Sequence, residues 1–339
     1  MIFSRNVLPP ILSVIFFCCI LFIASSVSAI PILKETEKRL HRATQALHFQ
    51  ATQNILGKYR DISSVKKKNK QYAVARQKRS VIRDLSAKSA IILDAVSGKT
   101  LFAKNPNAPR QPASTIKILT GMIALKSLKK DEQVSVSKKA ARQPRSKVYL
   151  DQRKKYPAHD LINAVLLASA NDASVALAEK IAGSEKTFAK MMTFRAKLWG
   201  AKQTVCKTAS GLTAKGQKST AHDLAVIFRH TMSDRDFASR MKMTKVRTKE
   251  GKLLRNHNKA LWQVKGTEGG KTGYTSAARQ TYVGKFKRGD DEIIIAIMGS
   301  ERMWTDLKKL VDYGFNKKQL ASSEQPHNDD GIIIAQSPY

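Results

Sequence analysis

Short apolar runs open and close the central part of the chain, and 3.6-residue periodicity fills its middle. Ala90-Ile91-Ile92-Leu93-Asp94 is an apolar strand, Ser97-Gly98 supplies a turn, and Thr100 to Lys104 returns as a second strand. That pattern predicts a β-hairpin. Asn105 to Ala113 is rich in Asn and Pro and reads as a loop, followed by a helix from about Ser114 to Leu128. Two more helices, Asp160 to Ala168 and Asp172 to Ile181, are broken at Ser169-Ala170-Asn171. Glu185 to Leu198 and Thr220 to Met232 continue the amphipathic series. Gly269 to Thr275, bounded by glycines, leads into strands Thr281 to Phe286 and Ile293 to Met298, joined at Lys287-Arg288-Gly289-Asp290. Met303 to Phe315 is a final helix. Strands, helices and strands again predict an α+β fold: an antiparallel β-sheet flanked by helices, closed by both ends of the core, plus an all-helical lobe.

Ahead of this core the pattern changes. The apolar run Ile11 to Ile23 ends in small residues, and Val27-Ser28-Ala29 fits a signal-peptidase site. Residues 1–29 are expected to be a secretory signal cut after Ala29. Left uncut, the run is only slightly short of a membrane span and would act as an anchor. Either way the remainder is expected in the periplasm or cell wall. Residues 30–88 are basic, with fifteen Lys plus Arg against four Asp plus Glu between Pro31 and Lys88. Leu33, Leu40, Leu47 and Ile55 predict an amphipathic helix over Ile32 to Leu56. The lysine-rich stretch Ser63 to Arg83 reads as a linker. Two readings stand for it, adhesion to an anionic envelope polymer and a solvated spacer. The core is assigned to 89–315. Residues 316–339 are expected to be a disordered tail, whose patch Ile332-Ile333-Ile334 is too short to hold a membrane.

The whole chain has 339 residues with 61 Lys plus Arg against 26 Asp plus Glu. This excess predicts attraction to polyanions such as nucleic acid, anionic lipid or an acidic wall polymer, and says nothing about fold. Three cysteines exclude a disulfide framework. Cys18 and Cys19 fall in the signal run, so cleavage leaves Cys206, which reads as a small packed residue. There is no GxSxG elbow and no HExxH pattern. A histidine triad or zinc site therefore has no support, and neither metal nor cofactor is expected.

Another arrangement is present: Ser114-Thr115-Ile116-Lys117, then Ser169-Ala170-Asn171, then Lys271-Thr272-Gly273. The first piece alone carries little, because the chain has six Ser-x-x-Lys matches. Context singles out Ser114: Pro112-Ala113 precede it and the apolar helix through Leu125 follows. Its hydroxyl would sit at the positive end of a helix dipole. Lys117, three residues on, shares its face. A lysine base must be neutral, and burial plus a second cation, for which Lys271 is the candidate, both lower its pKa. Ser169 at a helix break could relay a proton, and the Asn171 amide could hold a substrate amide; a helix cap is the alternative. The segment Gly269 to Tyr274 is the most specific, since Lys-Thr-Gly occurs once. Glycines let a strand edge approach a peptide closely.

Together these motifs resemble the serine-type D-alanyl-D-alanine carboxypeptidases, the low-molecular-mass penicillin-binding proteins. The likeness runs from about Ser89 to Phe315 and includes Pro112-Ala113-Ser114, Asn171-Asp172-Ala173, Ser210-Gly211-Leu212, Ser219-Thr220-Ala221 and Tyr313-Gly314-Phe315. The resemblance implies that Ser114 attacks the penultimate D-alanine carbonyl of peptidoglycan stem peptides and that Lys117 takes its proton. Ser169 would protonate the departing D-alanine. The backbone N–H groups of Ser114 and Tyr274 would hold the oxyanion. Asn171 would orient the peptide, with Lys271 and Thr272 binding its carboxylate beside Gly273. β-Lactam antibiotics would acylate Ser114. Export and this residue set argue against nucleic acid as a partner. The sequence departs from the family at Ala278-Arg279-Gln280, where a glycine is expected near 279. A D,D-endopeptidase, or a β-lactamase, remains the alternative; the Ala170 of the middle motif and the lack of an obvious glutamate loop weigh against the latter.

Overall fold

The computed structural model describes residues 30–322; the expected signal, 1–29, and the last part of the expected tail, 323–339, lie outside them. The first element, α1, runs unbroken over Ile30–Asp84. This corrects the linker expected over Ser63 to Arg83. That stretch contains no Pro or Gly, and its Lys, Arg and Gln residues are good helix formers. High charge density was the reason to read a linker, yet charge alone breaks no helix. Leu40, Leu47 and Ile55 stand exposed on α1. The chain divides into two compact units at Arg76 and Gln77, and the second holds everything described next.

There β1 (Ser89–Asp94) and β2 (Thr100–Lys104) form the expected antiparallel hairpin. Asp94 closes its turn by accepting from the backbone N–H groups of Val96 and Ser97. The helical lobe follows: α2 (Lys117–Ser127), β3 (Gln133–Ser135), α3 (Lys138–Ala141), β4 (Lys155–Pro157), α4 (Ala158–Leu166), α5 (Asn171–Ala182), α6 (Glu185–Leu198), α7 (Ala221–Thr231) and α8 (Arg235–Lys242). A small ribbon, β5 (Lys245–Arg247) with β6 (Leu253–Arg255), and the short α9 (Ala260–Gln263) lead back to the sheet. Its remaining strands are β7 (Thr267–Thr275), β8 (Arg279–Arg288) and β9 (Asp291–Ser300), followed by α10 (Met303–Ser322).

The strand order is β2-β1-β9-β8-β7, with each neighbouring pair antiparallel. The first and last strands of the core therefore meet in one sheet, as the order of elements predicts. The apolar run of β9 shows why. Ile293, Ile295 and Ile297 face one core with Phe102, Leu307 and Leu310, whereas Ile294, Ala296 and Met298 face the other with the helical lobe. A strand covered on both faces must be apolar at every position rather than at alternate ones.

The last helix continues beyond Phe315 to Ser322, which corrects the boundary of the core at 315. No Gly or Pro interrupts 316–322. Lys318 in this extension pairs with Asp94 at 2.6 Å and Asp291 at 3.1 Å, fixing it to the β1 hairpin turn. Buried Asp306 accepts from the backbone N–H groups of Ser86 and Ala87, tying the start of the core to α10.

Candidate active site

Ser114 lies on the 3₁₀ turn Ala113–Ile116, and Lys117 is the first residue of α2. In a 3₁₀ turn side chains at i and i+3 eclipse each other. Lys117 Nζ consequently sits 2.8 Å from Ser114 Oγ. It also donates to Asn171 Oδ1 and to the Ser210 carbonyl, each at 2.7 Å. Lys117 is wholly buried. Burial holds its pKa well below 10.5, and the nearby Lys271 charge lowers it further, with Asp172 opposing.

These contacts dictate the proton arrangement. The Asn171 amide N–H₂ donates to the carbonyls of Pro144 and Arg145 at 3.0 and 3.1 Å, which fixes Oδ1 toward Lys117. Oδ1 and the Ser210 carbonyl can only accept. A neutral amine spends its two N–H bonds on them and turns its lone pair to Ser114, whose O–H then donates. The site is thus wired for Lys117 to act as the base. Asn171 was expected to grip the substrate amide from both its ends. Its donors and Oδ1 are engaged within the protein, which makes Asn171 a positioning residue for Lys117 as well as part of the cleft wall.

Ser169 occupies the break between α4 and α5 with a left-handed φ of 58°. Its Oγ accepts from Lys271 Nζ at 2.9 Å. Lys271 also donates to the carbonyl of Thr272 and is 2% exposed. Burial pushes its pKa down to about 7. Lys271 therefore stands behind Ser169, with its Nζ bonded to the Ser169 oxygen and the Thr272 carbonyl. Thr272, Gly273 and Tyr274 do line the cleft, which has a volume of about 460 Å³ and is walled also by Ser114, Ser169 and Asn171.

Two glycines bring the pieces together. A Cβ on Gly273 would lie 2.7 Å from Ser114 N, so only glycine lets β7 press against the nucleophile's turn. Gly211 has φ 78°, and a Cβ there would meet the Ala113 carbonyl at 2.0 Å. This closeness is what carries the Ser210 carbonyl to Lys117. Ser210 escaped the sequence reading as a site residue because its contact is made by main chain.

His257 was missed as well. It lines the cleft, and its pKa is lowered to about 4 by the surrounding protein and by the charges of Lys271 and Lys117. It is a neutral ring at physiological pH. It belongs to neither a catalytic-triad nor a zinc pattern, so no sequence motif marks it. Arg279, where a glycine was expected, takes the left-handed φ of 58° that favours glycine. Its guanidinium meets Glu301 at 3.6 Å and forms no part of the cleft lining. Among the described residues no cluster of three metal-ligating side chains occurs.

A family model described as D-alanyl-D-alanine carboxypeptidase matches residues 72–302. The chain belongs to the D-alanyl-D-alanine carboxypeptidase family. Carboxypeptidase activity, and with it the hydrolase class, comes with that membership. DacB2 of Mycobacterium tuberculosis, a D-alanyl-D-alanine carboxypeptidase, is 36% identical over 71% of this chain and 86% of its own length. DacF of Bacillus subtilis, of the same description, is 32% identical over 68% of this chain and 62% of its own length. A crystal structure of D-alanyl-D-alanine carboxypeptidase from M. tuberculosis superposes with a TM-score of 0.65 at 34% identity, covering 69% of this chain and 92% of that one. Penicillin-binding protein D2 of Listeria monocytogenes, in its ampicillin-bound form, gives 0.63 at 28% identity over 68% and 98%. The carboxypeptidase family accounts for the α+β sheet-and-lobe fold.

The buried lysine of this carboxypeptidase site has a measurable cost. A lysine whose folded pKa is about 7 against 10.5 in the unfolded chain is neutral in one state and protonated in the other between those values. The unfolded state then binds the extra proton, so stability rises with pH across that window and levels off below about 7. Lys271→Met removes this slope. Its stability advantage over the parent is expected to shrink by roughly 5 kcal/mol between pH 7 and 10.5. Parallel urea melts at several pH values check this; equal slopes for both proteins would contradict it.

Proposed function

We propose that Ser114 hydrolyses the terminal D-alanine of peptidoglycan stem peptides through an acyl-enzyme. The supporting observation is the Lys117 amine, buried and held 2.8 Å from Ser114 Oγ by two obligate acceptors. Lys117 takes the Ser114 proton as Oγ bonds to the carbonyl of the penultimate D-alanine. The first N–H groups of a helical turn lack intrahelical partners, so those of Ser114 and its neighbour Tyr274 on the adjoining strand stabilise the oxyanion. The peptide lies along the β7 edge beside Thr272 and Gly273, with Thr272 taking its carboxylate. Ser169, which accepts from Lys271, gives its own proton to the departing nitrogen and recovers one from Lys271. Water attacks the acyl carbonyl, passing a proton through Ser169 to Lys271, while Lys117 returns its proton to Ser114 Oγ as the ester bond breaks and the shortened peptide leaves. β-Lactams enter by the same attack on Ser114.

The test is direct. The protein is incubated with a pentapeptide ending in D-Ala-D-Ala and with crosslinked peptide dimers, and the products are identified by mass. Loss of one alanine from the pentapeptide is expected. Cleavage of dimers alone would make the enzyme an endopeptidase, and fast penicillin turnover without a lasting adduct a β-lactamase.

The surroundings of the reaction belong to the same proposal. The chain works outside the cytoplasm, exported by the segment 1–29, and α1 docks on an anionic envelope polymer through its basic residues. Removing residues 31–76 spares the contacts that Ser86 and Ala87 make with Asp306. That truncation is expected to cosediment with cell walls several-fold less at low salt and as the parent does at about 0.5 M salt, where the screening length is only several ångströms. Equal cosedimentation at low salt would remove the role of α1.

A further inference from the structure

Next to the catalytic cleft lies a larger recess of about 670 Å³, lined by Thr244, Lys245, Arg255, Asn256, Lys259 and Trp262 together with His257. His257 and Lys259 wall both, so the recess continues the cleft rather than standing apart from it. No acidic residue lines it. Lys245 and Arg255 are direct cross-strand partners in the β5–β6 ribbon. Like charges set opposite each other destabilise a strand pair, and among the described residues neither is in an ion pair, although Lys242 nearby pairs with Glu268. The ribbon does not relax away from this repulsion, because buried Asn256 fastens it: its Nδ2 donates to the Met243 carbonyl at 2.8 Å and its N–H to Thr244. Trp262 on α9 leaves 56% of its surface open to solvent, a large apolar wall without cover. Held cations, an exposed indole and continuity with the reaction cleft form a receptor for a ligand with carboxylates and flat apolar faces.

We propose that this recess is a second substrate subsite. It binds a carboxylate-bearing part of the wall peptide on the retained side of the scissile bond, so that acidic stem peptides are preferred over neutral ones. This rests on the carboxypeptidase reading given above. Two peptides ending in D-Ala-D-Ala test it: a short N-acetylated tripeptide whose only carboxylate is its C-terminus, and a pentapeptide with additional free carboxylates. They are compared on the parent protein, on the double variant K245Q/R255Q, and on W262A. The parent is expected to favour the pentapeptide, with the preference fading as salt is raised. In K245Q/R255Q, kcat/KM for the pentapeptide is expected to fall about tenfold, mainly through KM, while the tripeptide value changes less than about twofold. W262A should weaken pentapeptide binding with the salt dependence retained. An unchanged pentapeptide-to-tripeptide ratio in the double variant would overturn the proposal. So would loss of binding to added polyglutamate with that ratio intact, since the recess would then serve a separate polymer. Penicillin labelling and tripeptide hydrolysis by the parent report on the catalytic reading alone, so a failure there is distinguishable from a failure of the subsite.

Discussion

Ser114→Ala protein is expected to take up no fluorescent penicillin and to release no D-alanine, a loss of about 10⁵-fold or more in turnover. The loss is that large because the Ser114 oxygen is the one against the buried Lys117 amine and beside the N–H groups proposed to hold the oxyanion. Ser169 lies in the same cleft, but with Lys271 at 2.9 Å from its oxygen it serves the proposed mechanism as the proton donor to the leaving group. Removing the Ser114 oxygen leaves the fold intact, since its side-chain contact is with Lys117 alone. Melting within a few degrees of the parent, alongside absent labelling, is the expected pair of results. Labelling that persists would place the nucleophile elsewhere and dissolve the catalytic assignment.

Lys117→Ala is expected to slow acylation by about 10³- to 10⁴-fold. The parent's acylation rate should rise with pH as Lys117 gains a lone pair to accept from Ser114, and fall again as Lys271, whose pKa is about 7, loses the proton that resupplies Ser169. As pH falls through the lowered pKa of Lys117, the base is lost. The variant's residual rate should lack this limb. His257, with its pKa near 4, remains neutral through that range and cannot produce the limb. Stopped-flow acylation by a chromogenic β-lactam, measured from pH 5 to 9 on both proteins, decides the matter. A limb of the same shape in the variant would assign the base to another group. Stability is also affected: Asn171 Oδ1 and the Ser210 carbonyl lose their donor, at a cost of about 1–3 kcal/mol each if left dry. A water in the vacated space would recover part of it.

Much of this was legible in the sequence where chemistry and local pattern coincide. The hairpin of Ile91 to Phe102, the break at Ser169 and the unique Lys-Thr-Gly at 271–273 each carry a short-range signal. Helix Glu185–Leu198 was placed to the residue, since Ser184 caps its start. What stayed hidden depends on distant segments meeting. The Ser210 carbonyl reaches Lys117 across 93 positions through backbone, which no side-chain pattern encodes. The engagement of Asn171 with Pro144 and Arg145 is of the same kind, and it gives that residue a bracing part toward Lys117. The Lys245–Arg255 opposition exists only once a ribbon sets its register. The continuation of α1 through 63–83 is hidden for a different reason: a lysine-rich run with few large apolar residues resembles a linker, although no Pro or Gly in it breaks a helix.

Strand β7 is the last in its sheet, paired with β8 on one side only. An open margin that welcomes an extended guest also welcomes a neighbouring molecule's margin, the usual route to clumping in β-rich proteins. Here three glycines at 269, 270 and 273, a register slip between Thr267 and Gly269, and an inward-buried lysine interrupt the flat, greasy length such zippering requires. The edge that the proposed peptide would follow is thereby a poor template for pairing with the same edge of a second copy.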